Sequence, residues 1–481
     1  MRFLKAPLYF LTSFYHQVTG SQPPQPSIDL SQYEPSDIIT RDVCVIGGGA
    51  AGTYAAIRLR QLNKSVVLVE RQSRLGGQTT TYTDPVTGKS IDYGVTYFQN
   101  LPLVRNFFDH FGIPLSRASF DYHLDMLDLH VGTHIAQSSF PTPAEAAHAK
   151  EKYIAQLDRY PYLKVGFDLP NPVPEDLLLP FGDFLRKYGM DAAIAELGAS
   201  INPLGDWPSM PTLYVFKYLN SDVMEGGRSG FVRPVDHNNS APYVAAQREL
   251  GDDDDLLLDS SVRRTHRDHP DGWTYIEIQN ISPLSRPRLI RAKKVIVAAP
   301  PKPDNLNGID LTEAERTLFS HFSNTYFYTA LVRITGLPDD ICYLNRGAED
   351  PFWRPHLPAM LLLRPNEVSD LRTVHYASPH PLSEEQIRRG IVQDIHRVRG
   401  LAQIDGEVSE PEFVAVGNHS PYQLTVSADV IADGFYERLN ALQGRKSTFY
   451  TGAAFESHNS PQIWQFTEDL LLQRVLPSLE E

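Results

Sequence analysis

The feature that most constrains this chain is a short apolar run that ends in a glycine-rich turn. Asp42-Val43-Cys44-Val45-Ile46 leads directly into Gly47-Gly48-Gly49-Ala50-Ala51-Gly52. Consecutive apolar residues without polar alternation predict a strand covered on both faces, as in a parallel sheet. The glycines at 47, 49 and 52 occupy the three fixed positions of G-x-G-x-x-G. A helix is expected next, with Ala55, Leu59 and Leu62 on one face. Asn63-Lys64 then makes a turn, and Ser65 to Val69 forms a second strand closed by Glu70. The glycines have separate physical roles. Gly47 permits the tight turn, Gly49 lets a pyrophosphate approach the backbone, and Gly52 lets the helix pack on the strand. The helix N-terminus offers unpaired N–H groups to phosphate, and Glu70 stands where a ribose diol can donate to it. The unit predicts dinucleotide binding but does not by itself separate FAD from NAD.

The following segment separates them. Arg74-Leu75-Gly76-Gly77-Gln78-Thr79-Thr80 comes directly after the ribose acid, and Ile91-Asp92-Tyr93-Gly94-Val95-Thr96-Tyr97-Phe98 comes a little later. Together they resemble successive fingerprints of the flavin amine oxidase and phytoene desaturase superfamily. The first is a paired-glycine turn against the FAD pyrophosphate, and the second is a segment whose backbone passes the isoalloxazine ring. The superfamily usually has Arg where Gln78 stands, so the resemblance implies a phosphate contact supplied elsewhere, with Arg74 the nearest cation. Later pieces fit the same plan. Leu256 to Val262 reads as one strand that brings Val262 to the adenine, Ala292 to Pro300 as the strand leaving the cofactor domain, and Thr448 to Ala453 as the last strand and glycine turn. Ser460-Pro461 then suits a helix start, with Ser as N-cap and Pro at the first helical position. The resemblance sets the N-terminus of that helix at the flavin N1–C2=O edge.

These expectations amount to an α/β protein: a discontinuous Rossmann-type FAD-binding domain with a mixed-sheet and helical substrate domain. Residues 1–40 are a leader and linker; 41–100, 221–303 and 444–481 are the three FAD-binding parts; 101–220 is a helical cap, with a helical pattern over Phe181 to Leu197; 304–443 is the substrate-domain sheet. Strand-like runs in the last of these are Tyr326 to Ile334, Met360 to Leu363 and Glu412 to Val416. The resemblance assigns FAD contacts to Gly47, Gly49, Ala51, Gly52, Glu70, Arg71, Arg74, Gly76, Gly77, Gln78, Thr96, Tyr97, Val262, Gly452 and Ile463. No Cys lies near Gly452 to form a thioether, so the FAD is expected to be non-covalent. Within the superfamily, Asp92-Tyr93-Gly94-Val95, Gly444-Arg445 and Ile463-Trp464 are most similar to fungal enzymes of the beta-cyclopiazonate dehydrogenase type.

Composition narrows the function classes. The net charge of -14, from 44 basic and 58 acidic side chains, disfavours a nucleic-acid or anionic-membrane surface. No apolar run reaches the length of a bilayer span. The two cysteines, Cys44 and Cys342, give neither a disulfide framework nor a metal spacing, and the 16 histidines contain no HExxH pair, so no metal is expected. Gly251 followed by Asp252 to Asp255 reads as an exposed acidic loop. Ahead of the Pro-rich stretch Gln22 to Pro26, Ala6 to Tyr15 reads either as a short signal segment or as a frayed leader. Sequons at Asn63, Asn238, Asn280 and Asn418 permit glycosylation without requiring secretion.

Spacing reveals no acid–base triad, so the catalytic residues stay unassigned. His458 and Asn459 lie either near the flavin or in a locally bonded loop, and Tyr97, Phe98 and Trp464 line either a pocket or the core. Three functions remain open. The first is oxidation of a small organic molecule by hydride transfer to flavin N5: amine oxidation, desaturation or oxidative cyclisation, as in secondary metabolism. The others are FAD-dependent double-bond isomerisation without net redox, and a non-catalytic dinucleotide sensor.

Overall fold

A computed structural model describes residues 28–119, 121–251, 255–280, 287–402 and 408–480. The leader, its Pro-rich stretch and Asp252 to Asp254 lie outside these residues. Two sheets organise the rest. In the first, the strand order is Ser260–His266, Thr274–Asn280, Arg288–Val297, Ile38–Ile46, Val66–Val69, Leu256–Leu257, and Thr448–Tyr450 also pairs with Arg288–Val297. Ile38–Ile46 sits in the middle, parallel to both neighbours. That position explains the unbroken apolar run, because Val43, Cys44 and Val45 are fully buried. Strands from widely separated stretches of sequence therefore share one sheet.

The second sheet has eight strands in the order Glu412–Asn418, Ser323–Arg333, Leu371–Ser378, Ala359–Pro365, Ile341–Asn345, His123–Asp128, Thr133–His134, with Tyr422–Thr425 also on Ser323–Arg333. His123–Asp128 joins it in parallel pairing with Ile341–Asn345, so the stretch expected to be a helical cap also lends strands to this sheet. The helix Glu384–Leu401 covers one face through Ile387, Ile391, Ile395 and Val398. Its start is fixed by a capping box between Ser383 and Gln386. A continuous core runs from Cys44 and Val67 of the first sheet, through Tyr153, Phe184 and Trp207 of the helical cap, to Phe327 and Leu424 of the second.

Several local expectations are corrected. Leu256 to Val262 is not one strand. Asp259 has φ 48°, and this left-handed residue ends the pairing of Leu256–Leu257 with Val66–Val69 before an antiparallel strand begins at Ser260. The helical pattern Phe181 to Leu197 divides into Phe181–Tyr188 and Ile194–Ile201, because Gly189 at φ 61° closes the first helix. Asp255 is not part of an exposed acidic surface. It is buried and bridges Arg41 at 2.6 Å and Arg60 at 2.8 Å. The last helix, Ser460–Leu470, starts one residue earlier than expected, with Asn459 as its N-cap, so Ser460 is already helical.

Candidate functional site

The strands Ile38–Ile46, Val66–Val69, Arg288–Val297 and Thr448–Tyr450 run parallel, and their carboxyl ends come together at Gly47, Glu70, Ala298 and Thr451. Gly47 N–H donates to the Val69 carbonyl at 2.8 Å, Ala298 N–H to Ile46 at 2.8 Å, and Thr451 N–H to Val297 at 3.0 Å. Ligands of open α/β sheets bind in the crevice outside such carboxyl ends. Two helices also begin there: Ala50–Gln61, capped by Gly49, and Ser460–Leu470. The Trp464 indole N–H donates to the Ala50 carbonyl at 3.1 Å, which fixes the two helix starts side by side.

The glycines differ in what they permit. A Cβ on Gly52 would lie 1.8 Å from the Gly47 carbonyl oxygen, so helix and turn touch backbone to backbone. A Cβ on Gly49 would meet nothing within 4 Å: its face is open. Gly77, at φ 54°, brings its own missing Cβ within 3.0 Å of the Gly49 Cα, so the two glycine turns meet at the open face. Sequence reasoning overlooked two further glycines. Gly48 is pressed against Leu75 and Glu70, and a Cβ on Gly94 would lie 2.2 Å from the Gln78 carbonyl, where the Asp92–Thr96 segment crosses the second turn. Gly48 is the unspecified x of the pattern, so its signal was the unbroken Gly47-Gly48-Gly49 run.

The remaining expected residues fall as follows. Glu70 is buried and accepts the Gly48 N–H at 2.6 Å and the Gln72 N–H at 2.8 Å, so its carboxylate braces the glycine loop. Ala51 is buried in the first turn of the helix, whereas Arg71 is exposed. Arg74 donates to the carbonyls of Leu75, Thr79 and Gly77 at 3.2, 3.0 and 2.9 Å, so its guanidinium shapes the Gly76-Gly77 turn. Gln78 reaches the second sheet, donating to the His419 carbonyl at 2.7 Å. Val262 follows Ser260, whose N–H donates to the Glu70 carbonyl at 3.0 Å. Gly452 has φ 108° and comes within 3.6 Å, by its absent Cβ, of the Ala298 carbonyl. Ile463 is buried in the first turn of the last helix. Phe98 and Trp464 are core, stacked at 5.7 Å and fully buried. Tyr97 is different: 38% exposed, with its ring 4.5 Å from Phe231. Burial of its hydroxyl nevertheless raises its pKa.

Beyond Gln78 lies a group of aromatic and histidine side chains with no local sequence signature. The Phe327 ring is flanked by His375 at 5.2 Å, His419 at 5.5 Å and Tyr422 at 5.1 Å. Tyr422 stacks on His458 at 4.3 Å and shares a 3.0 Å hydrogen bond with the Tyr218 hydroxyl. Burial pushes His375 and His458 down to about 3 and His419 to about 4, with neighbouring positive charge adding to the effect. Burial therefore favours the neutral imidazoles, which can donate a hydrogen bond from one ring nitrogen and accept one at the other. Burial also raises Asp92 to about 8, against hydrogen bonds from Thr81 and the Asn239 N–H that favour its ionised form. Among the described residues, no group of three or more His, Cys, Asp or Glu is placed to hold a metal, and no helix is long and apolar enough to cross a membrane.

Comparison with known proteins agrees with this geometry. Residues 45–111 match the NAD(P)-binding Rossmann-like domain family. The chain is 38% identical over 457 residues to FAD-dependent oxidoreductase dbaF of Emericella nidulans, covering 92% of each chain. It is 34% identical over 469 residues to FAD-dependent oxidoreductase oblC of Cochliobolus heterostrophus, covering 96% of each. Beta-cyclopiazonate dehydrogenase of Aspergillus oryzae is 33% identical over 442 residues, covering 91% of this chain and 93% of that one. Among solved structures, a fatty acid isomerase from P. acnes superposes with a TM-score of 0.74 at 20% identity, covering 90% of this chain and 98% of that one. Putrescine oxidase bound to putrescine superposes with a TM-score of 0.64 at 17% identity, covering 91% and 100%. At these identities the two structures speak for the fold alone, which is that of the amine oxidase type. The sequence relatives, alike over nearly their whole length, settle the rest: the chain belongs to the family of FAD-dependent oxidoreductases that includes beta-cyclopiazonate dehydrogenase.

Proposed function

We propose that this FAD-dependent oxidoreductase holds its cofactor along the crevice at the carboxyl ends of the first sheet and oxidises a small organic molecule in a recess beside Tyr97. The observation that carries the reading is the open face of Gly49, next to which the Gly77 turn packs against the Gly49 backbone. The residues present fit FAD: two glycine turns without side chains face each other there, and two helix N-termini begin beside them. Gly47, Gly49, Ala51, Gly52, Gly76 and Gly77 would take the pyrophosphate, with Gln78 alongside. Glu70, braced by the loop N–H groups, and Arg71 would flank the ribose, with Val262 at the adenine. Arg74 would act through the turn it shapes rather than as a direct phosphate ligand. Thr96, Tyr97, Gly452 and Ile463 would surround the flavin ring, and the chain offers no thioether there, since both cysteines are buried strand residues.

Bound flavin supplies a two-electron acceptor at N5 for a hydride leaving a C–H bond. The protein's own part is to orient that bond, exclude water and move a proton. For the first two, the buried Phe327 and Tyr422, with Tyr218 hydrogen-bonded to Tyr422, supply aromatic ring surface. His375 and His458 are too weakly basic for the third, because burial disfavours their charged form; each can accept a hydrogen bond from a substrate N–H or O–H without taking the proton. The function rests on purified protein that is yellow and that releases FAD on heat or acid denaturation. Anaerobic mixing with a substrate should leave reduced flavin. Colourless protein that binds only NAD would defeat the reading, and flavin retained on the precipitated chain would defeat its non-covalent part.

A further inference from the structure

At Thr96, the residue before Tyr97, opens a cavity of about 320 Å³, lined by Thr96, Tyr122, Arg233 and Arg364 among others. Thr96 belongs to the segment that crosses the Gln78 turn at Gly94, so the cavity adjoins the flavin side. Arg364 stands out within it. It lies on the strand Ala359–Pro365, is only 9% exposed, and no carboxylate among the described residues forms an ion pair with it. The acids around the cavity are committed elsewhere or form no ion pair with Arg364. Asp339 pairs with Arg372 at 2.8 Å, and Glu367 pairs with Arg233 at 3.1 Å and His237 at 2.7 Å. Asp92 accepts from Thr81 and Asn239 at one carboxyl oxygen, its other oxygen is buried without a partner, and neither Asp92 nor Asp121, both of which line the cavity, forms an ion pair with Arg364. What Arg364 does reach is uncharged: the Tyr122 hydroxyl by hydrogen bond, with Tyr97 and His375 within its field.

A buried guanidinium without an anion is costly, and its planar fork matches the two oxygens of a carboxylate. We propose that Arg364 is the specificity residue of this enzyme and that the substrate carries a carboxylate, anchored in this cavity while its reacting carbon faces the recess beside Tyr97. The assignment of the recess rests on the FAD reading; the carboxylate site does not. A cavity of this size takes a small aromatic acid.

Calorimetric titration of purified protein with phenylacetate and with its neutral isostere phenylacetamide tests the site. Wild type should bind the acid at least about tenfold more tightly than the amide. Arg364→Met should lose that preference, and Arg364→Lys should recover part of it, which a merely structural role would not do. In turnover, Arg364→Lys should raise KM more than it lowers kcat. Absence of phenylacetate binding by wild type, or an equal affinity for acid and amide, overturns the proposal. So does a preference that survives in Arg364→Met. If Arg364→Met does not fold, Arg364→Gln takes its place under the same criterion. Flavin content, measured on each sample from visible absorbance, reports separately on the FAD reading: a colourless protein that still prefers the acid would keep the carboxylate site and lose the cofactor.

Discussion

Gly49 and Gly52 belong to one motif, yet the structure predicts opposite consequences for replacing them. Gly49 is the N-cap of the helix Ala50–Gln61, with φ -72° and ψ -165°, a conformation open to any residue. Its added Cβ touches nothing. Exchanging Gly for Ala or Val at an N-cap costs about 1 kcal/mol. Restricting the unfolded chain returns roughly 0.4–1 kcal/mol. The apoprotein should therefore keep its stability to within about 1 kcal/mol, about 2 °C in Tm for a chain of this size. Gly49→Val nevertheless fills the face where the cofactor's pyrophosphate is placed. Its FAD affinity should fall at least about 100-fold, or about 2.7 kcal/mol. Gly52→Ala behaves differently, because its Cβ would stand 1.8 Å from the Gly47 oxygen. Helix and strand must separate, at about 1–3 kcal/mol or more, so this variant should lose stability before any cofactor is added. Thermal unfolding of the apoproteins, followed by FAD titration with flavin fluorescence as readout, distinguishes the two. An apo Gly49→Val that binds FAD like wild type, or one that unfolds as readily as Gly52→Ala, would refute the placement of the pyrophosphate.

Glu70→Ala removes the acceptor of the Gly48 and Gln72 N–H groups, and charge-assisted bonds of this kind contribute about 1.5–3 kcal/mol each. It should lower apoprotein Tm and weaken FAD together, whereas loss of FAD with unchanged apo stability would show that the carboxylate serves the ribose alone. Burial pushes Glu315 upward, but Arg267 at 2.8 Å and the Tyr450 hydroxyl at 2.6 Å override it and hold the carboxyl at about 2, against an ordinary 4.5. A depressed carboxylate contributes fully above its unfolded pKa, so this contribution, about 3 kcal/mol, is complete above about pH 4.5 and disappears as pH falls toward 2. Denaturant unfolding across that window should be less steep in pH for Glu315→Gln than for wild type; identical slopes would remove the network from the account. Ser460→Asp puts a negative charge in the first turn of the last helix, worth about 0.3–1 kcal/mol to the helix. It should lower the flavin reduction potential by roughly 6–21 mV for a two-electron couple, while Gln473→Asp, exposed in the π-helical turn that continues this helix far from its N-terminus, should not. Equal potentials in a redox titration would move this helix away from the flavin.

The parts of the fold legible in the sequence were those whose physics is local. Val43 to Ile46 and Val66 to Val69 read as buried strands because packed layers cover both faces of the sheet, the helical cap on one side and helices carrying Tyr54, Phe107 and Trp464 on the other, which removes polar residues from the text. The glycine turns read because close backbone approach excludes a side chain at positions such as Gly52 and Gly94. Boundaries failed where one residue's backbone decided them. Asp259 and Gly189 each break an apolar pattern that continues past them. Asp255 was misread because its partners, Arg41 and Arg60, are distant in sequence, and an acid at the end of an acidic run looks exposed until they are known. His123–Asp128 was missed as a strand of the second sheet because its pairing partner, Ile341–Asn345, comes more than two hundred residues later.

The same contrast separates the two halves of the site. A dinucleotide presents the same phosphates to every protein that binds it, so backbone amides and absent side chains recognise it, and both leave a spacing in the sequence. A substrate is recognised by side chains, and these can come from any element the sheet brings near. His375 lies on one strand, His419 just after another, and His458 in the turn before the last helix, yet they are gathered around Phe327 and Tyr422. Arg364 reaches the neighbouring cavity from a further strand of the same sheet. None of these positions carries a pattern of its own, because the constraint on each is imposed by the others through space. The second sheet can therefore change substrate while the first keeps its flavin, and the residues that decide specificity are found by tracing contacts outward from Gln78 rather than by spacing.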